Sequence, residues 1–335
     1  MWQEAATADV MDERLINELR AIAPTKTDEL LSRHTTFGIG GPADAFVTVR
    51  SAQELSRAVM IAREFASPIF ILGAGSNVLI GDRGVRGVVI DNQAKATRLE
   101  PLHIGADDPV GAPKSVQGAP EGDAFMLWAE SGVSFAALAR QMARDGYAGI
   151  EWAAGIPGTL GGAVVYNAGA YEGCLADVLL ATTVLNGGNG QRALTAAELK
   201  MSYRSTAILR GELGKCVVLS VELALRRGEA SALTAKVAEY DRKRLDAQPR
   251  GRNSGSTFKN PAGDQAWRLI DAVGLRGHTI GGARISEKHT NFIENLGDAR
   301  AAEVAALMSE AQRRVKEQFG VELENEVEMV GEGFE

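Results

Sequence analysis

The sequence contains little cysteine and little histidine, and this scarcity excludes several classes of protein. Its 335 residues include only two cysteines and four histidines. Cys174 and Cys216 are far apart in apolar surroundings, which favours buried free thiols over a disulfide framework. The histidines show no metal-ligand spacing with these cysteines or with each other. We therefore expect a metal-free protein of a reducing compartment, the cytoplasm.

The sequence also lacks an excess of positive charge and any long apolar run. With 36 Lys and Arg residues against 43 Asp and Glu residues, its formal net charge is -7. A nucleic-acid binder that ignores base sequence needs a basic field, so this class is excluded. No apolar run approaches the roughly 18 residues of a spanning helix, and the first residues do not resemble a secretory signal. The expected partners are small molecules, not nucleic acids or membranes.

The first hundred residues show the order strand, helix, strand. Ala45–Val49, Ile69–Leu72 and Gly87–Ile90 have the composition of strands. Apolar residues at helical spacing lie between the first two, and Ser51 with Glu54 predicts a capping box at the start of that helix. This pattern predicts an α/β or α+β unit with a crossover connection.

Residues 100–122 interrupt the pattern. Prolines alternate there with glycines, and apolar periodicity disappears. Since loops of such length are uncommon inside compact domains, the segment predicts a flexible surface excursion. Order resumes with a strand at Phe125–Ala129, a helix at Phe135–Asp145 and a strand within Lys215–Leu225.

The last hundred residues have a helical pattern of their own. Leu233–Leu245 and Ala266–Val273 are predicted helices, and Asp298 is predicted to cap a longer one. The residues of that helix expected to face inward are Val304, Leu307, Ala311, Val315 and Phe319. We place a domain boundary near residues 228–231.

Glycine is abundant, with 38 residues, and it clusters in segments suited to chemistry. The first is the turn Gly73–Asn77, where glycines two residues apart let backbone amides hold phosphate oxygens. Val78 stands where a dinucleotide fingerprint needs a third glycine, so this is not a Rossmann motif. By itself, such a segment is more often only a turn.

The second segment is Gly155–Gly162, which continues into the apolar run Val164–Ala170. Its glycines and prolines predict neither helix nor strand. The apolar surroundings predict a buried backbone whose polar groups need partners. A large polar cofactor would supply them, and a kinked connection between strands is the alternative that the segment alone leaves open.

The third segment is Asn253–Pro261, preceded by a local run of positive charge. The basic residues of that run are Arg242, Lys243, Arg244, Arg250 and Arg252. Such a cluster steers an anionic substrate or complements the dipole of a helix end. Ser256 lies in a Gly-containing turn, where serine is usually only a turn residue. Each segment alone is a weak indicator.

Taken together and in order, these segments resemble the UDP-N-acetylenolpyruvoylglucosamine reductases (UDP-N-acetylmuramate dehydrogenases). The resemblance extends from about Arg33 to Glu335, nearly the whole chain. Beyond the two Gly-rich segments it rests on further motifs: His34–Ala43, Tyr203–Thr206, Gly255–Pro261, Gly281–Ser286, His289–Phe292 and Leu323–Val327. Each motif is moderately specific, whereas six or more in order are highly specific.

The resemblance implies an α+β fold with two main domains. A FAD-binding domain of the vanillyl-alcohol-oxidase (PCMH) type is expected at 31–229, with subdomains at about 31–92 and 123–229. An α+β substrate-binding domain follows at 230–335, and a helical extension precedes both at 1–30. The expected oligomeric state is a monomer.

The resemblance also implies two sets of binding residues. Non-covalent FAD is expected to contact Gly73, Ala74, Gly75, Ser76, Asn77, Gly155, Ile156, Pro157, Gly158, Thr159, Gly161, Gly162, Asn167, Gly169 and Ala170. The substrate is expected to contact Tyr203, Lys259, Asn260 and His289.

The family reaction implies two half-reactions. NADPH reduces the flavin and leaves, and the enolpyruvyl UDP-sugar then accepts hydride to become UDP-N-acetylmuramate, a peptidoglycan precursor. The developing charge needs a cation, which fits Arg204 because a guanidinium matches a carboxylate. Ser256 matches the family's proton donor, and either Lys259 or Arg204 would supply the positive field that this weak acid needs.

Glu326 matches the family's acidic catalytic residue. Without the resemblance it is one acid in the alternation Glu322, Glu324, Glu326 and Glu328, which period two would put on one exposed strand face.

The sequence departs from the family pattern near Pro249. Ala247 stands where the family commonly has a lysine, so Arg250 or Arg244 would replace its contact with the diphosphate. The short spacing from Arg204 to Ser256 resembles the subclass without an extra substrate-covering loop.

Two other functions stay open at this point. One is a flavin oxidase on the same scaffold, and these enzymes often tether FAD through His or Cys. The other is a non-catalytic protein that binds nucleotide sugars. The joint presence of Arg204, Ser256 and Glu326 argues against the second, because binding alone does not require all three.

Overall fold

The computed structural model describes residues 11–103 and 113–335. Its α-helices are α1 (Glu13–Arg20), α2 (Ala52–Glu64), α3 (Phe135–Arg144), α4 (Leu160–Val165), α5 (Ala230–Ala247), α6 (Ala266–Ala272) and α7 (Ala301–Phe319). Its strands are β1 (Thr25–Lys26), β2 (Glu29–Leu30), β3 (Pro42–Val49), β4 (Ile69–Leu72), β5 (Val78–Ile80), β6 (Val85–Asn92), β7 (Thr97–Pro101), β8 (Ala124–Glu130), β9 (Tyr147–Ala148), β10 (Gly169–Ala170), β11 (Gly173–Cys174), β12 (Leu179–Leu185), β13 (Gln191–Thr195), β14 (Val217–Arg227), β15 (Thr279–Ile280), β16 (Ala283–Ile285), β17 (Ile293–Asn295) and β18 (Glu328–Val330). Short 3₁₀ helices lie at Leu31–His34, Lys114–Val116, Glu151–Gly155 and Leu175–Asp177. This mixture confirms the predicted α+β class.

The first sheet is built around the parallel strands β3, β6 and β4, with β6 in the middle. Helix α2 connects β3 to β4, and Ser51 starts it by accepting a hydrogen bond from the N–H of Glu54 at 3.1 Å. The predicted capping box is half wrong. The Glu54 carboxylate reaches past Ser51 and accepts from the N–H of Arg50 at 2.7 Å.

The second sheet is antiparallel, in the order β13-β12-β14-β8-β7. The strands predicted around Phe125–Ala129 and within Lys215–Leu225 are confirmed as β8 and β14. Helix α3 covers this sheet with Phe135 and Leu138, which belong to its buried cluster. The sheet thus provides the core of the second subdomain.

Helix α5 follows the boundary expected at 229/230 but packs against the domain before it. Leu233 and Val237 lie in the same buried cluster as Phe135. Arg140 of α3 forms a salt bridge with Asp241 of α5 at 2.7 Å. This packing favours a boundary after α5, and the domain limits stay predictions.

The core of the C-terminal domain lies between α6, α7 and the sheet β15-β16-β17, and Phe37, Ile39 and Leu79 of the first subdomain pack into it. Four of the predicted inward residues of α7 are buried: Val304, Leu307, Ala311 and Val315. Phe319 is an exception at 37 % exposed. It is the last helical residue before Gly320, whose φ of +69° ends α7.

The prediction that Asp298 caps α7 is wrong, because the helix begins only at Ala301. Asp82 takes that role from the first subdomain. Its carboxylate accepts hydrogen bonds from the N–H groups of Ala301 at 2.8 Å and Ala302 at 3.2 Å. These N–H groups have no partner inside the helix, so the contact fixes α7 against the first subdomain.

The end of the chain also returns to the first subdomain. Strand β18 pairs in parallel with β5, and Glu328 lies opposite Val78. The N–H of Glu328 donates to the carbonyl of Asn77 at 3.0 Å, and the Asn77 amide donates to the carbonyl of Glu326 at 3.0 Å. The pairing therefore holds the C-terminal segment beside the turn 73–77.

The described parts of the predicted excursion 100–122 pack on the second sheet. Val116 is 1 % exposed and lies in one cluster with Ala124 and Ala224. The Ser115 hydroxyl donates to the carbonyl of Ala224 at 2.8 Å. The prediction of a segment that buries little is wrong there, because the contact depends on one isolated apolar side chain and not on periodicity. Residues 104–112 lie outside the described residues.

Replacing Val116 by alanine should lower the free energy of unfolding by about 1–3 kcal/mol, because it leaves a cavity in a closed cluster. Glu121→Ala is the matched control, since Glu121 is exposed in the same segment and should change stability by less than about 0.5 kcal/mol. Urea denaturation followed by circular dichroism measures both. Equal effects would show that Val116 is not anchored.

Cys174 and Cys216 are free thiols, as expected, but half-buried instead of buried. In the part of the chain that the structure describes, no helix is both long and apolar enough to cross a bilayer. The same residues contain no group of three or more His, Cys, Asp or Glu side chains arranged to hold a metal ion.

Candidate active site

The two Gly-rich segments meet between the two sheets. A Cβ atom built on Gly73 would lie 2.5 Å from Oγ1 of Thr159. Gly75 has a φ of +61°, and its Cβ would lie 2.1 Å from the carbonyl oxygen of His34. Only glycine permits this approach of the three segments.

Unpaired backbone N–H groups line this junction. Among the described residues, none of the five N–H groups from Gly73 to Asn77 donates a hydrogen bond. The N–H groups of Gly158 and Thr159 on the facing segment donate none either. Successive free amides hold phosphate oxygens well. The junction therefore suits the diphosphate of a dinucleotide.

The second Gly-rich segment contains helix α4, which corrects the prediction that its glycines and prolines exclude a helix. The N–H of Gly161 donates to the carbonyl of Ser131 at 2.8 Å, and a Cβ on Gly161 would lie 2.9 Å from the Ser131 Cβ. Glycine costs a helix only about 1 kcal/mol. Close packing outweighs this cost here.

Asn167, an expected cofactor contact, is bonded to protein backbone. Its Nδ2 donates to the carbonyl of Ser202 at 2.8 Å, and its Oδ1 accepts from the N–H of Ala176 at 3.1 Å. The residue is 5 % exposed. Its side chain therefore fixes the turn that begins at Ser202.

Arg204 lies in a turn closed by Ser202 and Ser205, whose backbone groups exchange hydrogen bonds of 2.9 and 3.2 Å. The φ of Arg204 is +50°, a strained value of the kind that concentrates at functional sites. Its Nε donates to Oε1 of Glu326 at 2.5 Å, and its Nη2 donates to the carbonyl of Gly169 at 3.0 Å. The guanidinium thus joins this turn to the C-terminal segment and the second Gly-rich segment.

Glu326 is buried, so the alternation of acids does not form an exposed face. Its side chain is 15 % exposed, against 77 % for Glu322 and 72 % for Glu324. Residues 322–326 are not in a regular strand, since β18 begins at Glu328. Burial raises the pKa of Glu326, while Arg204 and Lys259 act to lower it.

Ser256 lies in a loop that is joined to Glu326 through the backbone. The N–H of Glu326 donates to the carbonyl of Thr257 at 2.8 Å. Phe258, 2 % exposed, anchors the loop in the C-terminal core. Within the described residues the Ser256 hydroxyl has no hydrogen-bond partner. The structure therefore brings Arg204, Glu326 and the Ser256 loop to one place.

Two of the expected substrate contacts lie beside this cluster. Lys259 forms an ion pair with Glu324, and it is close enough to Glu326 to lower the pKa of that carboxyl. Tyr203 is 57 % exposed, with the Arg204 guanidinium 5.4 Å from its ring centre. Both side chains border the turn and the loop that carry Arg204 and Ser256.

The other two expected contacts belong to the C-terminal domain. Asn260 is exposed, and its Oδ1 accepts a hydrogen bond from the N–H of Ala266 at 3.1 Å, at the start of α6. His289 packs edge-on against Phe292 with 4.8 Å between ring centres. Burial lowers the pKa of His289, which favours its neutral form.

Comparison with known proteins agrees with this geometry. Two family models match the chain: "FAD binding domain" over residues 43–194 and "UDP-N-acetylenolpyruvoylglucosamine reductase, C-terminal domain" over residues 247–330. The chain is 40% identical over 322 residues to UDP-N-acetylenolpyruvoylglucosamine reductase 2 of Symbiobacterium thermophilum, covering 96% of this chain and 97% of the relative. It belongs to the UDP-N-acetylenolpyruvoylglucosamine reductase family.

Other reductases of this family support the assignment. The enzyme of Desulfosudis oleivorans is 40% identical over 312 residues, covering 92% of this chain and 95% of the relative. The crystal structure of the reductase from Thermus caldophilus matches with a TM-score of 0.71 at 34% identity, covering 92% of this chain and 99% of that one. These matches confirm the resemblance, the FAD-binding fold class, the oxidoreductase class and FAD as the cofactor.

A cavity beside α5 contains both arginines that could replace the lysine absent at 247. The cavity has a volume of about 450 Å³ and is lined by Gly155, Pro157, Arg140, Arg244 and Arg250. Burial lowers the pKa of Arg244, and among the described residues its guanidinium has no hydrogen-bond partner. Arg250 lines the same cavity but is exposed, whereas Arg244 is half-buried.

One half-buried pair, Tyr166 and Glu328, was not predicted from the sequence. The Tyr166 hydroxyl donates to Oε2 of Glu328 at 3.0 Å, and burial raises the pKa of Tyr166. The pair ties the end of α4 to β18. No local pattern could have found it, because the partners are 162 residues apart.

Proposed function

We propose that the protein reduces UDP-N-acetyl-3-O-(1-carboxyvinyl)glucosamine to UDP-N-acetylmuramate, with NADPH as the hydride donor. The observation that supports this most is the hydrogen bond from Arg204 to Glu326. Glu326 lies two residues after Glu324, whose carbonyl accepts from the N–H of Lys259. The carbonyl of Glu326 also accepts from Asn77, which places it beside the turn 73–77. Glu326 therefore lies beside all three parts of the proposed site: the charge-stabilising Arg204, the loop that carries the proton donor Ser256, and the dinucleotide-binding turn 73–77. The product would feed peptidoglycan synthesis.

When bound, FAD would supply the hydride-transfer chemistry that links NADPH to the vinyl carbon of the substrate. The chain fits this cofactor, because the free amides of Gly73–Asn77 suit its diphosphate and glycines leave room for it. We assign the rest of the cofactor contacts to Gly155–Thr159 and to β10.

Arg204 is proposed to stabilise the negative charge that spreads toward the substrate carboxylate. Two of its nitrogens are held by Glu326 and Gly169, which leaves Nη1 as a positioned donor. Glu326 is the residue that orients this guanidinium. Because the charge is permanent and the fork is held, little reorganisation is needed during the reaction.

Ser256 is proposed to donate the proton to the adjacent carbon. Its hydroxyl is free of protein partners. A hydroxyl is a weak acid, so it needs a positive field and a strong developing base. Arg204 and Lys259 both lie near Glu326, whose N–H contacts the carbonyl of Thr257, the residue after Ser256. Together they supply that field.

Arg244 is proposed to bind the substrate diphosphate, with Tyr203, Lys259, Asn260 and His289 as further contacts. A half-buried guanidinium that lines a cavity and has no partner among the described residues is suited to a phosphate group.

Arg244→Ala should raise the KM for the UDP-sugar about tenfold or more, since a charge-assisted hydrogen bond contributes about 1.5–3 kcal/mol. Arg242→Ala, an exposed cation of the same helix, is the matched control and should leave KM unchanged. Steady-state kinetics at saturating NADPH measures both. A KM that rises equally in the two variants would indicate a general field instead of a contact.

The visible absorption spectrum of the purified protein tests the proposed function directly. Flavin absorption should bleach with NADPH and return anaerobically with the enolpyruvyl UDP-sugar. A flavin that stays attached on denaturation and reoxidises only with oxygen would favour an oxidase. Absence of bleaching would favour a non-catalytic binding protein.

Cytoplasmic location and a monomeric state are further parts of the proposal. Two free thiols support a reducing compartment. Size-exclusion chromatography with light scattering tests the monomer.

A further inference from the structure

The Ser256 loop needs a support that keeps its hydroxyl in place. The loop between α5 and α6 contains no helix or strand at Ser256, and Gly255 has a φ of +80°. The Ser256 hydroxyl has no partner of its own within the described residues. A proton donor displaced by about 1 Å can lose 10²-fold in rate. Its position must therefore come from neighbouring residues.

Asn291 contacts both residues that follow Ser256. Its backbone carbonyl accepts from the N–H of Thr257 at 2.8 Å. Its side-chain Oδ1 accepts from the N–H of Phe258 at 2.9 Å, and its Nδ2 donates to the carbonyl of Phe258 at 2.8 Å. Asn291 is 4 % exposed, so water competes little for these bonds.

The same support reaches Glu326. Thr257 is held on one side by Asn291 and on the other by Glu326, whose N–H donates to the Thr257 carbonyl at 2.8 Å. A shift of the loop away from Asn291 would therefore change the spacing between Ser256 and the Arg204–Glu326 pair.

The contact requires a side-chain amide. One side chain must accept from a backbone N–H and donate to the carbonyl of the same residue, which a carboxylate or an alkyl group cannot do. Both groups of Phe258 are buried, and each would be left unsatisfied in a variant without the amide.

We infer that Asn291 is a positioning residue for the proton-donating hydroxyl of Ser256, acting through Thr257 and Phe258. The inference rests on the proposed function, in which Ser256 delivers the proton in the second half-reaction and has no part in the first.

Asn291→Ala should slow the half-reaction with the enolpyruvyl UDP-sugar about tenfold, while NADPH still bleaches the flavin within about twofold of the normal rate. The solvent deuterium isotope effect on the slowed step should increase, because proton transfer then limits it more. Anaerobic stopped-flow absorbance measures both half-reactions. Asn291→Asp keeps the size and the acceptor but loses the donor, so it should show the same selective slowing if the alanine variant does not fold.

Asn295→Ala is the matched control. Asn295 is also buried, at 8 %, and its Nδ2 donates to the carbonyl of Phe37 at 2.9 Å while its Oδ1 accepts from two N–H groups. Its loss should lower the melting temperature without separating the two half-reactions. If the Asn291 variants behave like this control, Asn291 is only structural.

Ser256→Ala, measured alongside, separates the two possible failures. If it slows only the second half-reaction and the Asn291 variants do not, the inference about Asn291 is wrong and the proposed function stands. If Ser256→Ala slows both half-reactions equally, the proposed role of Ser256 is wrong, and the inference fails with it.

Discussion

Ser256→Ala should slow the half-reaction with the enolpyruvyl UDP-sugar by about 10²–10⁴-fold, the usual contribution of a positioned acid. Flavin bleaching by NADPH should continue at a near-normal rate, since no proton from Ser256 is needed there. The reason is structural: the hydroxyl is free of protein partners, so its removal breaks no bond of the fold. Anaerobic stopped-flow absorbance on each half-reaction gives the comparison.

Two further variants test whether the loss is specific to the proton donor. Ser254→Ala removes a hydroxyl from the same loop, where Ser254 is 4 % exposed, and it should leave both half-reactions unchanged. Ser256→Cys supplies a more acidic group of similar size and should recover part of the loss. If Ser256 only shapes the glycine turn, both half-reactions of Ser256→Ala will weaken together and the melting temperature will fall.

Local elements of this fold could be predicted from sequence because their causes are local. The apolar spacing of α7 and the glycine after it give the helix and its end, and Ser51 gives the start of α2. Strands β4, β8 and β14 follow from short apolar runs between turn residues. In each case the residues that decide the structure are within a few positions of each other.

The errors share a different cause, which is contact between distant parts of the chain. The cap of α7 comes from Asp82, 219 positions before Ala301. Val116 is buried by a strand more than a hundred residues later in the chain. Neither contact leaves a periodic signal, so the local pattern pointed to Asp298 and to a free loop instead.

In the candidate site, too, local features could be predicted from the sequence and contacts between distant residues could not. The glycines at 73 and 75 predict that other atoms lie close to this backbone, but they do not predict that these atoms belong to Thr159 and His34. In the sequence Glu326 looks like one exposed acid of four, and its contacts with Arg204, Thr257 and Asn77 are all distant in the chain. The family resemblance found the three catalytic candidates because it carries information about such distant contacts.

The second large effect is expected for Arg204→Lys, which keeps the charge but loses the planar fork. The bonds from Nε to Glu326 and from Nη2 to Gly169 cannot both be replaced by one ammonium group. We expect the half-reaction with the UDP-sugar to slow about 10²-fold, the scale of losing one preorganised donor. NADPH should reduce the flavin almost normally. Arg210→Lys is the matched control, because Arg210 pairs with Glu212 nearby.

The pairing with Glu326 makes the prediction sharper. If Glu326 acts by orienting Arg204, Glu326→Gln and Arg204→Lys remove the same arrangement, and their effects on the second half-reaction should not add in the double variant. Independent roles would instead multiply the two losses. Stopped-flow rates for the four proteins complete the cycle, and wild-type turnover in Arg204→Lys would exclude Arg204 as the charge-stabilising group.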